Sequence, residues 1–332
     1  MTTTQTLMSS RQTFSEVRLA ELRKRVANIP AIAKLPGLTI FAAGSYGRLE
    51  ASEFSDIDLF FIYEGNPAEI ENRRTEELRL FGALIAIADD MGFPAFSNDS
   101  QYLTTSSCDE LLEQLGSPKD DDENHFTLRM LMMLESRPIS GDEAYKGILN
   151  RVFESYYRDY PDHQASFQPF FLLNDVSRFW KTLLLNYENK RNQKVAERAK
   201  AKQKVRNFKL KFSRMTTCFA TVAALGSLSD PIDVAKLLEL IEMTPRQRLE
   251  YVAKLRPECG PIVEKLIEEY AWFMELTGMD EPALTDLFED KAKRSELFNR
   301  ANAYGTTMYE LLAAIDSNSG GPGSQFIRYL VI

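Results

Sequence analysis

The chain has 332 residues, a length that allows two domains with separate hydrophobic cores. Apolar residues make up 44% and charged residues 27% of the chain, a balance typical of globular cytosolic proteins. No apolar run approaches the ~20 residues that a bilayer-spanning helix needs. The three cysteines are far apart and have no neighbouring Cys or His, so their spacing predicts no zinc site and their low, odd number favours a reducing compartment. We therefore expect a cytoplasmic protein without a membrane partner.

The net charge of −8 is unevenly distributed along the chain. The segment from Lys181 to Arg214, here named the basic stripe, contains 12 Lys or Arg residues and two acids, and so carries +10. Because the whole chain carries −8, the remainder carries −18. A basic stripe in an acidic protein indicates a local phosphate-binding surface, and a solvated helical face is the alternative.

The pattern of the first 150 residues predicts helices interleaved with short buried strands. Apolar runs predict strands at Leu38–Ala43, Ile57–Tyr63 and Gly92–Phe96. Helical periodicity predicts a short helix from Ser45 and longer helices at Thr13–Ile29, at Pro67–Gly92, around Cys108–Leu115 and around Asn124–Ser136.

After Gly141 the pattern changes, and from about Tyr145 onward it is helical with almost no convincing strand. Helices are predicted at Phe170–Tyr187, Ala201–Ala224, Ile232–Glu242, Pro245–Tyr251 and Ile262–Leu276. We therefore predict an α+β protein in which a small mixed-sheet domain, residues 1–150, precedes an all-α domain, residues 151–332.

Two carboxylates, Asp56 and Asp58, lie within the largely apolar segment Phe54–Ile62. Because one residue separates them on a predicted strand, their side chains are expected on the same face. Two adjacent carboxylates are costly unless a cation neutralises them, and Mg²⁺ binds one or two carboxylates together with phosphate and water. The pair therefore predicts a magnesium site, and its apolar neighbours argue against a solvated surface turn.

A glycine–serine pair precedes these acids. Gly44-Ser45 stands where the strand Leu38–Ala43 turns into the predicted short helix. Glycine lets the backbone approach a ligand closely, the start of a helix offers N–H groups to phosphate, and Ser45 adds a hydroxyl. Only about one short helix separates the pair from the acids, so both can line one cleft.

Together these residues resemble the signature of the DNA polymerase β superfamily of nucleotidyltransferases, in which Gly-Ser is followed by Ser-Asp-Ile-Asp-Leu. Gly44–Arg48 with Ser55–Leu59 is similar to the branch that contains the bacterial PII-protein uridylyltransferase and related stand-alone bacterial nucleotidyltransferases. A second segment, Thr127–Asp142, is similar to the Leu-Glu-x-Arg…Gly-Asp segment that closes the catalytic domain of that branch. The resemblance covers about Leu38–Leu149 and implies a polymerase β-like domain followed by a helical one.

The resemblance implies transfer of a nucleoside monophosphate from an NTP to a hydroxyl, with release of pyrophosphate. It implies that Asp56 and Asp58 hold two Mg²⁺ ions, for which Mn²⁺ could substitute. It also implies that Gly44, Ser45 and Arg48 bind the nucleotide.

The family further implies a third acid on a neighbouring strand, which helps to activate the attacking hydroxyl. Asp99 is our choice for this acid, and Asp89 and Asp90 are the next candidates. An aspartate that makes a loop turn is an equally good interpretation of Asp99.

In the predicted all-α domain, two sets of polar residues at helical spacing each share a face: Asn174, Arg178 and Lys181, and Arg206, Lys209 and Ser213. The resemblance implies that Lys209 and Ser213 hold the triphosphate, with Arg178 and Lys181 in support. An ordinary amphipathic helix with solvated cations is the alternative.

The sequence leaves the base of the NTP and the acceptor open. A protein side chain is suggested by the resemblance to the uridylyltransferase, an RNA 3′ end by the basic stripe, and a second nucleotide, giving a nucleotide signal, suits a stand-alone enzyme. We expect no stable DNA complex. The alternative from another class is a non-catalytic, nucleotide-binding regulatory protein that kept the fold.

Overall fold

The structure is a computed structural model, and it describes residues 3–96, 103–158, 160–163, 168–192, 196–228, 231–318 and 327. The chain is a mixed α+β protein with a small four-stranded sheet and a large helical part, as the sequence predicts. It divides into two compact units. The α/β unit comprises Met8–Ser155, and the helical unit comprises Met1–Leu7 with Tyr156–Ile332.

The sheet consists of β1 (Leu38–Ala43), β2 (Asp58–Tyr63), β3 (Thr105–Ser107) and β4 (Arg137–Ser140), in the spatial order β3-β2-β1-β4. β1 is antiparallel to both of its neighbours, and β2 is parallel to β3, so the sheet is mixed. Every residue of β1 is buried, which explains why this strand is a continuous apolar run in the sequence.

Helices in the first 155 residues flank this sheet. They are α1 (Thr3–Val26), α2 (Gly44–Gly47), α3 (Arg73–Asp90), α4 (Cys108–Glu113), α5 (Pro118–Asp122), α6 (His125–Glu135) and α7 (Asp142–Ser155), with 3₁₀ turns at Ile32–Lys34 and Pro67–Glu69. α1 and α3 contribute buried leucines to the core beneath the sheet, among them Leu22, Leu80 and Leu84. Burial of each such side chain contributes about 1.5–3 kcal/mol.

Three sequence predictions in this unit need correction. Residues 93–96 have no regular structure, so the strand predicted at Gly92–Phe96 is wrong; Phe93 instead packs edge-on against Tyr46, with ring centroids 5.4 Å apart. The long helix begins at Arg73 and not at Pro67, which opens a separate 3₁₀ turn. Neither β3 nor β4 was predicted, because both are short and lack an apolar run.

The helical unit continues with α8 (Tyr160–His163), α9 (Phe170–Arg191), α10 (Glu197–Lys209), α11 (Met215–Gly226), α12 (Val234–Glu242), α13 (Pro245–Leu255), α14 (Gly260–Leu276), α15 (Glu281–Glu289) and α16 (Lys291–Asn318). A π-helical turn, Leu210–Arg214, joins α10 to α11, and a 3₁₀ turn, Pro257–Cys259, precedes α14. In the described part of the chain no strand follows β4, which confirms the predicted change to helix. Within the same residues, no helix is both long and apolar enough to cross a membrane.

Aromatic rings fill the core of the helical unit around the π-helical turn. Phe212 stacks on Phe273 with ring centroids 4.8 Å apart and on Tyr304 at 4.6 Å. Phe208, one turn earlier, packs edge-on against Phe288 at 5.3 Å. Because aromatic side chains bury large areas, this cluster fixes the positions of α10, α14, α15 and α16 around it.

Candidate functional site

The two predicted metal-binding acids lie where β2 begins. Asp58 is the first residue of β2 and pairs with Ala43, the last residue of β1. Asp56 precedes the strand, in a segment without regular structure, so the prediction that both acids lie on a strand holds for Asp58. Asp56 is exposed, Ile57 is buried and Asp58 is half-buried, and this alternation is that of an extended chain whose two carboxylates lie on one face.

Gly44 lies against one of these carboxylates. Its φ is +67°, and an added Cβ would lie 2.8 Å from Oδ2 of Asp58. Two features therefore disfavour a side chain at this position: the left-handed backbone conformation and the close contact with the Asp58 carboxylate. Gly44 and Asp58, which the α2 turn and the segment before β2 separate in sequence, form one surface where β1 ends and β2 begins.

The short α2 turn ends in a Schellman-type cap. The N–H of Glu50 donates to the carbonyl of Ser45 at 2.8 Å, and the N–H of Leu49 donates to the carbonyl of Tyr46 at 3.1 Å. Leu49 has φ +61°, a conformation that normally favours glycine and costs a leucine about 1–3 kcal/mol. The turn that carries Ser45 is therefore held in place by its surroundings against local strain.

Arg48 provides much of this support. Its Nε donates to Oε2 of Glu50 at 2.7 Å, and its Nη1 donates to Oε2 of Glu135 at 2.6 Å. The Arg48 side chain is 8% exposed and that of Glu135 is 0% exposed. Gly47 adds a close backbone contact, since a Cβ there would lie 1.9 Å from the carbonyl oxygen of Glu135. The nucleotide-binding role of Arg48 stays a prediction, while its contacts give it a structural role that joins α2 to the end of α6.

An aromatic and cationic cluster that sequence reasoning missed surrounds Tyr46. The guanidinium of Arg18, on α1, lies 4.2 Å from the centre of the Phe93 ring, which itself packs edge-on against Tyr46. Burial raises the pKa of Tyr46, the nearby Arg18 guanidinium opposes this shift, and the charge of Asp56 adds to it. No local motif connects Arg18 with Tyr46 or Phe93, because these residues come together only in the folded unit.

The approach to Asp56 is a hydrogen-bonded turn. The N–H of Ser52 donates to Oγ of Ser55 at 2.9 Å, and the N–H of Ser55 donates to the carbonyl of Ser52 at 3.1 Å. The N–H of Phe54 donates to Oγ of Ser52 at 3.3 Å. These bonds fix the backbone immediately before Asp56.

The predicted third acid, Asp99, lies outside the described residues. Asp89 and Asp90 are exposed at the end of α3, where Asp90 Oδ2 accepts a hydrogen bond from Arg25 at 2.9 Å. Among the described residues, no group of three or more His, Cys, Asp or Glu side chains is placed to hold a metal ion. Asp56 and Asp58 still suit Mg²⁺, because this ion commonly takes two carboxylates and completes its shell with phosphate and water.

In the helical unit, Arg178 is engaged in an ion pair. Its Nη1 lies 3.5 Å from Oδ1 of Asp175, a buried carboxylate that also accepts a hydrogen bond from the Tyr156 hydroxyl at 2.8 Å. Lys181, three residues later on α9, is exposed. A phosphate-binding role for either residue stays a prediction.

Lys209 immediately precedes the π-helical turn, and Ser213 lies within it. The Ser213 hydroxyl is buried and donates to the carbonyl of Lys209 at 2.8 Å, so its proton is used within the helix. Lys209 is exposed at the end of α10. π-Helical turns are rare and often occur at functional sites, which singles out this part of the basic stripe. The phosphate-binding role of both residues stays a prediction.

Other cations of the basic stripe are paired with neighbouring helices. Arg198 lies 2.8 Å from Asp286 and 3.0 Å from Glu289, both on α15. Lys202 lies 3.0 Å from Glu281, at the start of the same helix. The central stripe is thus partly neutralised by the protein itself, which favours the alternative of a solvated face for these residues.

No protein-family model matches the chain, and no curated protein matches it. Gly44 lies in close contact with the Asp58 carboxylate where β1 ends and β2 begins. Ser45 follows Gly44 in the constrained α2 turn, and Asp56 precedes Asp58 by two residues. Such an arrangement can bind a divalent cation together with a phosphate chain.

Proposed function

We propose that the chain is an Mg²⁺-dependent nucleotidyltransferase of the polymerase β type, which transfers a nucleoside monophosphate from an NTP to a hydroxyl. The observation that carries the proposal is the contact between Gly44 and Asp58 at the start of β2. It brings the two halves of the Gly-Ser…Ser-Asp-Ile-Asp-Leu motif to one surface, so that the residues which resemble the superfamily signature can act together.

In the proposed reaction, the acceptor oxygen attacks the α-phosphorus, the bond between this phosphorus and the bridging oxygen breaks, and pyrophosphate leaves. Asp56 and Asp58 would hold two Mg²⁺ ions, or Mn²⁺ in their place, which when bound neutralise the phosphate charge and activate the acceptor. The backbone at Gly44 and the hydroxyl of Ser45 would bind the β- and γ-phosphates. Asp99 is the proposed acceptor of the hydroxyl proton.

The resemblance also implies cations that hold the triphosphate. Lys209 suits this role best, because it is exposed and adjoins the π-helical turn. Arg178 and Lys181 are proposed as support, and Ser213 would contribute only if its hydroxyl left the Lys209 carbonyl. Lys provides a point charge for phosphate and Arg a fork of donors.

The test is transfer of label from α-labelled ATP, UTP, CTP or GTP in the presence of Mg²⁺, with the purified protein alone and with cell lysate. Asp56→Asn and Asp58→Asn should each abolish transfer, since loss of one charge from a metal-binding pair removes several kcal/mol of transition-state stabilisation. Glu53→Gln is the matched control, because Glu53 is an exposed acid in the turn just before Asp56. It should retain transfer.

The location of the label identifies the acceptor. Labelled protein, labelled RNA and a new small product correspond to the three acceptor classes that the sequence leaves open. Nucleotide binding without any product would favour a non-catalytic regulator. Full activity of either aspartate variant would overturn the proposal.

A further inference from the structure

The outward face of α3 carries an apolar seam. Thr75, Leu78, Gly82, Ile85 and Asp89 follow one another at alternating spacings of three and four residues, and all are exposed. The two large apolar side chains are well exposed, Leu78 at 56% and Ile85 at 37%. The alternating spacing is the pattern by which two helices pack along a shared line. The opposite face of α3 packs into the core, so the seam is a second apolar face on one helix.

Within the described part of the chain, no contact and no backbone conformation requires a glycine at position 82, the centre of the seam. An added Cβ would meet nothing within 4 Å, and its φ is not in the left-handed region. A glycine in the middle of a helix is less favourable than alanine by about 1 kcal/mol. A glycine here would let another helix approach closely. The exposed Ala86, one turn later, also has a small side chain and so extends the part of the surface that a second helix can approach.

The charges at the two ends of the seam are opposite. Arg74 lies at the amino-terminal end and Arg79 directly follows Leu78 in the first half of the seam; their side chains are 68% and 61% exposed, although each also contacts a glutamate of α3. Asp89 and Asp90 lie at the carboxyl-terminal end, where Asp90 is 79% exposed beside Arg25. Two parallel copies of α3 would place like charges together, whereas two antiparallel copies place arginines against aspartates at both ends.

We propose that two copies of this chain associate through an antiparallel pairing of their α3 helices, with the two-fold axis beside Gly82. In this pairing Leu78 of one copy packs against Ile85 of the other and Arg74 lies opposite Asp89, so the same surface serves both copies, as a two-fold interface requires. The seam from Thr75 to Asp89 is about 21 Å long. An interface of this length is small, and we expect weak, micromolar association. The inference is independent of the proposed function.

Sedimentation velocity of the full chain, from low micromolar to a few hundred micromolar, should show a concentration-dependent monomer–dimer equilibrium. Leu78→Glu should weaken association by about a hundredfold, because it buries an unpaired charge in the seam. Leu185→Glu is the control, since Leu185 is 70% exposed on α9 and lies outside the seam. A wild type that stays monomeric overturns the proposal, and a Leu78→Glu variant that dimerises like the wild type also overturns it.

Charge reversal tests the antiparallel orientation and does not depend on loss of folding. Arg74→Glu alone and Asp89→Lys alone each place like charges at both ends of the dimer, so each variant should associate about tenfold more weakly. An equimolar mixture of the two variants should recover association as a heterodimer, because both ends then pair opposite charges. Recovery requires both variants to be folded. A mixture as weak as the separate variants overturns the antiparallel arrangement.

Discussion

The two units use their charged side chains in different ways. In the α/β unit, Arg48 lies between Glu50 and Glu135, and all three side chains are almost completely removed from solvent. In the helical unit, Arg198 contacts Asp286 and Glu289 in a setting where all three side chains remain substantially exposed. Buried ion pairs impose a specific geometry on the chain, whereas exposed ones are screened by water. Buried ion pairs therefore fix the backbone of the motif segment around Arg48, whereas the exposed ion pairs of the basic stripe contribute little to the positions of its helices.

Replacing Arg48 should produce the largest effect. Arg48→Met leaves two buried carboxylates without their cation and should lower the free energy of unfolding by about 3–5 kcal/mol. Urea denaturation followed by circular dichroism measures this change. Lys146→Met is the control, because its ion pair with Glu143 is exposed on α7. If both variants unfold at the same urea concentration, the distinction between the two kinds of ion pair is lost.

The next largest effect is expected on Mg-NTP binding, where two lysines of the basic stripe should differ. Lys209→Ala should weaken binding of Mg-NTP by about tenfold, the loss expected for one charge-assisted contact to phosphate. Lys202→Ala should change it little, because Lys202 is already paired with Glu281. Calorimetric titration at low and moderate salt measures both affinities. Equal, small and salt-sensitive losses would instead indicate a diffuse nucleic-acid surface.

The smallest effect is expected for Arg198, which makes two exposed ion pairs from α10 to acids of α15. Arg198→Ala should shift Tm by no more than about 2 °C, because two solvated ion pairs contribute little to stability. Differential scanning calorimetry at low ionic strength is the suitable measurement, since salt screens such pairs further. A large fall in Tm would show that the basic stripe fixes the helical unit as Arg48 fixes the α/β unit.

The sequence predicts those strands of the α/β unit that form a continuous apolar run. β1 is predicted with its observed bounds, and β2 differs by one residue, because both strands are apolar runs. β4 was missed, since Pro138 interrupts its pattern and an edge strand tolerates such a residue.

Tertiary contacts explain most of what the sequence did not reveal about the candidate site. Gly44, Ser45, Asp56 and Asp58 are recognisable as a motif, but the motif does not show that Arg48 is enclosed by Glu50 and Glu135. The contribution of Arg18 arises from a helix far from the motif in sequence. Charge counting in the basic stripe was equally incomplete, because the neutralising acids lie about 80–90 residues later along the chain.

The π-helical turn between α10 and α11 is a position where the chain can lose one residue without disturbing the helices on either side. Such a turn holds one residue more than an α-helical turn, and buried side chains fix the helices on both sides of it. Loss of one residue between Leu210 and Arg214 would therefore restore a regular helix and leave Phe208 and Thr217 facing the same neighbours. Loss of one residue within α11 would rotate the rest of that helix by about 100°. The turn is thus a place where related chains could gain or lose a residue while keeping the same core.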